Sequence, residues 1–227
     1  MTYKGLIWRN VDRNRRRSGL TLVSIALSFF TLICLAALTA KIDSGVEQSS
    51  PLRLITHHSV SVANSLPERY RSEIKKVPGV AAVTMLNWFG GIYVDDAHTD
   101  FAQYGCDPET FFLVYPEVTL SLDEQRAFAA ERTAVIVSRA KAVKHGWRIG
   151  DRINLKGRLY PVDLELNIRG IFSGGPNNQS AVYFQRSYLA ESSRRTGLAD
   201  FFMIRADSVS SVPRVMQEID DGFQNSD

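Results

Sequence analysis

The chain has 227 residues, 44% of them hydrophobic, and a formal net charge of +3. Six bases against Asp12 fall within residues 1–17, so residues 41–227 sum to −2 and the positive balance is no argument for a nucleic-acid partner. The two cysteines, Cys34 and Cys106, have no CxxC spacing, which excludes a disulfide framework and a thiolate metal site.

In chain order, Leu6, Ile7, Trp8 and Val11 have helical spacing, with Lys4, Arg9, Arg13 and Arg15 to Arg17 around them. Residues 1–17 therefore read as a basic amphipathic segment at the cytoplasmic membrane interface, Trp8 at headgroup depth and the bases on anionic membrane lipid. Residues 18–40 then run for 23 positions without a charge. As a helix rising about 1.5 Å per residue they reach about 35 Å, against a bilayer core of about 30 Å. Positive charge stays inside, so the expected topology is a transmembrane helix over 18–40 in the inner (plasma) membrane, with everything after Lys41 outside the cytoplasm. A cleaved signal peptide has a shorter apolar region, and Leu38 fits poorly at the third position before a cut after Ala40. A lipoprotein signal would put a small residue before the cysteine, where this chain has Ile33. A buried core helix rarely follows Arg15-Arg16-Arg17. Ser24, Ser28, Thr31 and Thr39, with Gly19, Ala26, Ala36 and Ala37, either let a neighbouring helix approach or bond their own helix backbone.

Residues 41–51 are polar, contain Gly45 and end at Pro51, reading as a stalk. Residues 52–227 form the outer domain, and the 187 residues after Ala40 are enough for an independent core. Residues 52–62 read as a strand. Ser65-Leu66-Pro67-Glu68 matches a capping box opening a helix to about Val77, closed by Pro78-Gly79. Residues 80–88 read as a strand, Gly90-Gly91 as a turn, 92–94 as a return strand and 101–106 as another strand. Asp107-Pro108 starts a short helix over 109–115, and Ser121-Leu122-Asp123-Glu124 is a second capping box with a helix to Ala130. A strand over 133–138, a helix over 139–145, and the alternation of Ile153, Leu155, Leu164, Leu166 and Ile168 predict an antiparallel ribbon with one buried face. Gly174-Gly175-Pro176-Asn177-Asn178 is the clearest loop. A strand over 181–184, a helix over 187–195, a strand over 201–204 and a helix over 212–223 complete an α+β domain of one or two lobes.

Chemistry is sparse. No G-x-x-x-x-G-K-[ST] or G-x-S-x-G occurs, and none of His57, His58, His98 and His145 lies in an H-E-x-x-H context. Residues 95–100, Asp-Asp-Ala-His-Thr-Asp, offer Asp95, Asp96 and His98 as hard-cation ligands, but their place between two strands favours a solvated loop. Ser173-Gly174-Gly175 is either an anion nest or a flexible loop. Trp88-Phe89 is either an exposed contact patch or, the favoured alternative, a buried pair closing a hairpin. No catalytic, cofactor or metal residue is expected; Trp88, Phe89, Gly174, Gly175 and Asn177 are the candidate contact surface.

The basic start Lys4-Gly5-Leu6-Ile7-Trp8-Arg9-Asn10, the span, Pro78-Gly79-Val80, Trp88-Phe89-Gly90-Gly91 and Gly146-Trp147-Arg148-Ile149-Gly150-Asp151-Arg152-Ile153 follow one another in an order that resembles the permease subunits of MacB/FtsX-type ABC transporters, with their MacB-like periplasmic core domain. The resemblance implies a homodimer or heterodimer of permeases, a cytoplasmic ABC ATPase that hydrolyses ATP, and a periplasmic adaptor or envelope protein as a further candidate partner. It implies mechanotransmission, in which closure of the membrane helices moves the periplasmic domains. Family members carry three more membrane helices after the domain, and residues up to Asp227 hold no second apolar span. The expectation is the N-terminal portion of such a permease; the alternative is a single-pass anchored binding or sensor module of the cell envelope.

Overall fold

The structure, a computed structural model, describes residues 13, 15–47, 50–61, 64–95, 99–174 and 181–223. It has two compact units, Met1–Glu47 and Gln48–Asp227. Among its described residues the first holds one long helix, α1 (Arg15–Glu47). Its stretch Arg15–Ala37 has a mean hydropathy of 2.4 and is a candidate membrane span. Leu27, Phe30 and Leu35 are all exposed, as lipid-facing residues of an all-round apolar helix would be. Thr21, Ser28 and Thr31 donate their hydroxyls to the carbonyls of Arg17, Ser24 and Leu27 at 2.8–3.0 Å. These hydroxyls are thus satisfied within their own helix. The amphipathic segment around Trp8 lies outside the described residues.

The second unit is built on an eight-stranded sheet. In chain order its strands are β1 (Arg53–Thr56), β3 (Val80–Trp88), β4 (Ala102–Cys106), β5 (Ala134–Ser138), β6 (Arg152–Leu155), β7 (Leu164–Phe172), β8 (Ala181–Gln185) and β10 (Phe201–Ala206). A separate ladder pairs β2 (Leu66–Pro67) with β9 (Leu198–Ala199). The large sheet runs β1-β10-β3-β4-β8-β5-β7-β6. β4 is parallel to β8 and β5 to β7, and the remaining pairs are antiparallel. β5 is buried at all five positions, so its sequence Ala-Val-Ile-Val-Ser shows no alternation, as expected of a strand covered on both faces.

Register sorts the core. Met85, Asn87, Gly105, Phe184 and Val135 fall on one face, and Leu86, Cys106, Tyr183 and Ile136 on the other. The second face carries one cluster, closed by Phe111 and Val114 of α3 (Pro108–Val114) and Phe128 of α4 (Leu122–Ala130). The first face carries two. Ala142 of α5 (Arg139–His145) and Leu189 of α6 (Arg186–Ser193) close one, around Phe89, Trp147 and Leu166. Tyr70 and Ile74 of α2 (Tyr70–Ile74) close the other, with Val215 and Ile219 of α7 (Val212–Phe223), around Met85 and Phe202. The two-lobe alternative thus survives only as two clusters on one face of a continuous mixed sheet.

Several expectations hold. The second capping box is formed, Glu124 N donating to Ser121 Oγ at 3.3 Å and Ser121 N to Glu124 Oε2 at 2.9 Å. β6 and β7 make the antiparallel ribbon, and α7 has the expected limits. Others do not. Ser65 caps nothing: its hydroxyl donates to Asp200 Oδ1 at 2.7 Å, Leu66 and Pro67 are in the β2–β9 ladder, and the helix is only Tyr70–Ile74. β1 stops at Thr56. Residues 92–94 do not return along β3, whose neighbours are β10 and β4. Ile92 instead bridges to Lys156 at 2.8 and 2.9 Å.

Candidate functional site

The C-terminal ends of β3 and β7 and the starts of β4, β8 and β10 lie at one end of the sheet. Trp88 ends β3, and Gly174 follows β7. Four strand spacings of about 4.8 Å separate those strands, so the two candidate contact points are about 20 Å apart.

The aromatic pair splits. Trp88, paired with Tyr104, is 46% exposed on the face that carries α3 and α4. Phe89 turns to the opposite face and is fully buried, 5.9 Å from the Tyr160 ring and 6.1 Å from Phe184. Phe89 is therefore a core residue, and of the pair Trp88 is the one at the surface. The turn behind it is fixed by the buried Gln103, which accepts from Gly91 N at 2.7 Å and donates to Gly91 O at 3.0 Å. Gly91 has to be glycine, since a Cβ there would lie 2.3 Å from the Phe89 ring.

Gly174 is also held in place. Its φ is +78°, and a Cβ would meet the Glu117 carbonyl oxygen at 2.1 Å. The preceding Ser173 pairs with Thr119, and its hydroxyl accepts from Arg139 Nε at 3.0 Å. Gly175 and Asn177 lie outside the described residues.

Of the acidic stretch, Asp96 and His98 lie outside the described residues, while Asp100 is engaged. It accepts from Lys141 Nζ at 2.7 Å and from Lys144 Nζ, and it shares a hydrogen bond with His145 Nε2 at 2.9 Å. Burial pushes its carboxyl up, but the bonds from Lys141, Lys144 and His145 outweigh that and hold it well below the usual carboxylate range. The His145 ring stacks on Trp147 at 4.7 Å and meets Tyr93 and Phe101 edge-on. With its oxygens so occupied, Asp100 anchors α5 to the start of β4. Among the described residues, no cluster of three or more His, Cys, Asp or Glu is placed to hold a metal ion.

A second ionic centre sits where β4 meets β8. The buried Arg186 donates through Nε to Asp107 Oδ1 at 3.0 Å and through Nη2 to Glu68 Oε1 at 2.9 Å. Burial raises the Asp107 carboxyl, against the pull of the guanidinium. Nearby Asp200 accepts from Ser65 Oγ at 2.7 Å and Trp88 N at 2.9 Å.

Where α3 and α4 stop, the sheet face is left open. A groove of about 650 Å³ there is lined by Arg53, Tyr104, Tyr115, Tyr183, Phe201 and Met203 among others.

Residues 18–221 match the family described as the MacB-like periplasmic core domain. The chain belongs to that family. No curated protein matches it. Among solved structures, it is similar to the periplasmic region of MacB from Actinobacillus actinomycetemcomitans, with TM-score 0.53 and 12% identity over 77% of this chain and 85% of that one. It is also similar to the extracellular domain of the noncanonic ABC-type transporter YknZ from Gram-positive bacteria, with TM-score 0.49 and 16% identity over 76% and 93%. A domain of a putative permease protein from Porphyromonas gingivalis gives TM-score 0.46 and 17% identity over 76% and 84%. The MacB likeness supports the mixed sheet fold.

In this MacB-like domain, sequence reasoning missed the Asp100 and Arg186 centres and the open groove. Asp100 lies more than forty positions from Lys141, Lys144 and His145, and no local spacing joins them. The only sequence signal was an acid beside a strand start and the grouping of Lys141, Lys144 and His145 within one short segment.

The split of the aromatic pair predicts that Phe89→Ala lowers the unfolding free energy by about 3–5 kcal/mol. Trp88→Ala should cost about 1 kcal/mol, because half its surface is already in water. Denaturant melts of both variants check this. Asp100→Asn should cost about 2 kcal/mol at neutral pH. Because the folded carboxyl is depressed from its ordinary 3.8, its contribution is complete above that value and is lost as pH falls through the folded one. The gap between wild type and Asp100→Asn, read by thermal melts, should therefore narrow below about pH 4.

Proposed function

We propose that this chain is the N-terminal portion of an ABC transporter permease, coupling ATP hydrolysis by a partner ATPase to conformational change outside the cytoplasm. In this reading residues 1–17 lie in the cytoplasm, 18–40 cross the inner membrane, 41–51 form a stalk and 52–227 are periplasmic. The observation that carries it is the family match over residues 18–221, which takes in the candidate span as well as the sheet domain. The charge asymmetry about the span supports the orientation.

The chain has no active site of its own in this account; the chemistry is the ATPase's. Its work is mechanical, within a homodimer or heterodimer of permeases. A sheet packed on both faces and tied internally by Asp100 and Arg186 moves as a body rather than yielding locally, which supports mechanotransmission. Trp88 and the loop containing Gly174, Gly175 and Asn177 are the surface proposed to meet a periplasmic adaptor or envelope protein.

Two readouts on one preparation test the proposal. Asn177→Cys should react with an impermeant thiol reagent before the cytoplasmic membrane is broken, and Cys106, being buried, gives little background. The full-length gene product should co-purify with an ABC ATPase. Labelling only after lysis would reverse the orientation, and repeated isolation without an ATPase would sink the coupling.

A further inference from the structure

The open groove sets Arg53 and three tyrosines, Tyr104, Tyr115 and Tyr183, among apolar side chains such as Leu86, Phe101, Phe201 and Met203. Tyr104 and Tyr183 stack across β4 and β8 at 6.0 Å, and Tyr183 also meets Tyr115 at 6.4 Å. No hydroxyl of these three tyrosines bonds another described residue, and all three line the groove. Burial raises each phenol above its ordinary value, so each keeps its proton and remains a donor.

Arg53 adds a fourth donor. Its side chain is only 4% exposed, lies over the Tyr115 ring at 4.2 Å and is ion-paired with Glu117. Its Nε donates to the Val114 carbonyl at 3.4 Å, yet Nη1 is buried with no partner among the described residues. A buried guanidinium N–H without an acceptor is costly, and an oxygen brought into the groove would relieve it. That oxygen need not be charged, because Glu117 already neutralises Arg53 and a second carboxylate would be repelled by it. At the opposite rim Asp100 offers nothing to a cation, its oxygens being taken by Lys141, Lys144 and His145. The volume of about 650 Å³ falls within the range of small-molecule sites, and Phe201 and Met203 complete an apolar wall.

We propose that this groove binds an uncharged, largely apolar small molecule that presents ester, amide or ether oxygens to Arg53 and the three tyrosines. Among the described residues the groove supplies unbonded donors and aromatic surface, and the ligand supplies acceptors. Among the described lining residues the one carboxylate, Asp100, is already engaged.

Methionine-methyl NMR of the full chain in lipid nanodiscs tests this without interference from probe dissolved in the bilayer. Four methionines are present, and Met203 alone among Met85, Met203 and Met216 lines the groove. Met85 is buried and reports the fold, and Met216 is half-exposed on α7 and reports non-specific effects. Dimethyl phthalate, an uncharged aromatic diester, should shift the Met203 methyl saturably and leave Met216 in place. o-Diethylbenzene, an aromatic of similar shape without acceptors, should shift Met203 far less at equal concentration. Tyr104→Phe and Tyr183→Phe, which keep the rings, should each weaken phthalate binding about fivefold. The proposal is overturned if phthalate gives no saturable Met203 shift, if o-diethylbenzene shifts Met203 equally, or if the double Tyr→Phe variant binds unchanged. A Met203 shift that follows protein concentration without phthalate would assign the groove to a second copy of the chain, and would overturn it too.

Discussion

The structure depends on the parallel pairing of β4 with β8. On one side of that pair stand β3, β10 and β1, and on the other β5, β7 and β6. β4 holds β3 through only three residue pairs, Leu86 to Trp88 against Cys106 to Tyr104, whereas it is paired with β8 along its whole length. The junction is reinforced just past both strand ends, where Arg186 reaches Asp107 and Glu68. Gly105 makes room for this: a Cβ there would lie 3.1 Å from the Arg186 Cα. Breaking a buried, hydrogen-bonded ion pair by removing one partner leaves a charge stranded, so the cost of separating the halves is concentrated at this point.

The arrangement of the core follows from that junction. One face holds a single cluster that runs across it, and the other holds two clusters on either side. A body with one shared and one divided core has a direction in which its halves would shear if they moved at all. The polar contacts around Asp200 lie along this division, joining Ser65, the Trp88 amide and Tyr160. The open groove is the complement of the shared cluster: α3 and α4 cover part of that face, and Tyr104, Phe201 and Met203 remain where they end.

Much of the fold was legible in the sequence because it is governed by local rules. The capping box at Ser121, the run of β5, the helix over Arg139–His145 and the alternation of β6 and β7 depend on neighbours a few residues away. The failures have one cause. At Ser65-Leu66-Pro67-Glu68 a sound local helix start was overridden by a ladder with residues 198–199 and by a hydrogen bond to Asp200. At Gly90-Gly91 the expected hairpin gave way because a distant side chain, Gln103, takes both polar groups of Gly91. Little of the candidate site was legible. The row of Trp88, Tyr104 and Tyr183 exists only through the order β3-β4-β8, whose last two strands are separated by more than seventy residues of chain. Family resemblance carried the function further than any single residue did.

The second unit is one cooperative body joined at β4 and β8. Native-state hydrogen exchange of the full chain, followed amide by amide, tests it most directly. If the claim holds, the amides of β10 and β3 and those of β5 and β7 should exchange with opening free energies within about 1 kcal/mol of each other, at the level of global unfolding. Opening of the β5–β7–β6 side several kcal/mol below the β10–β3 side would mean two separately folding halves, and would contradict the account.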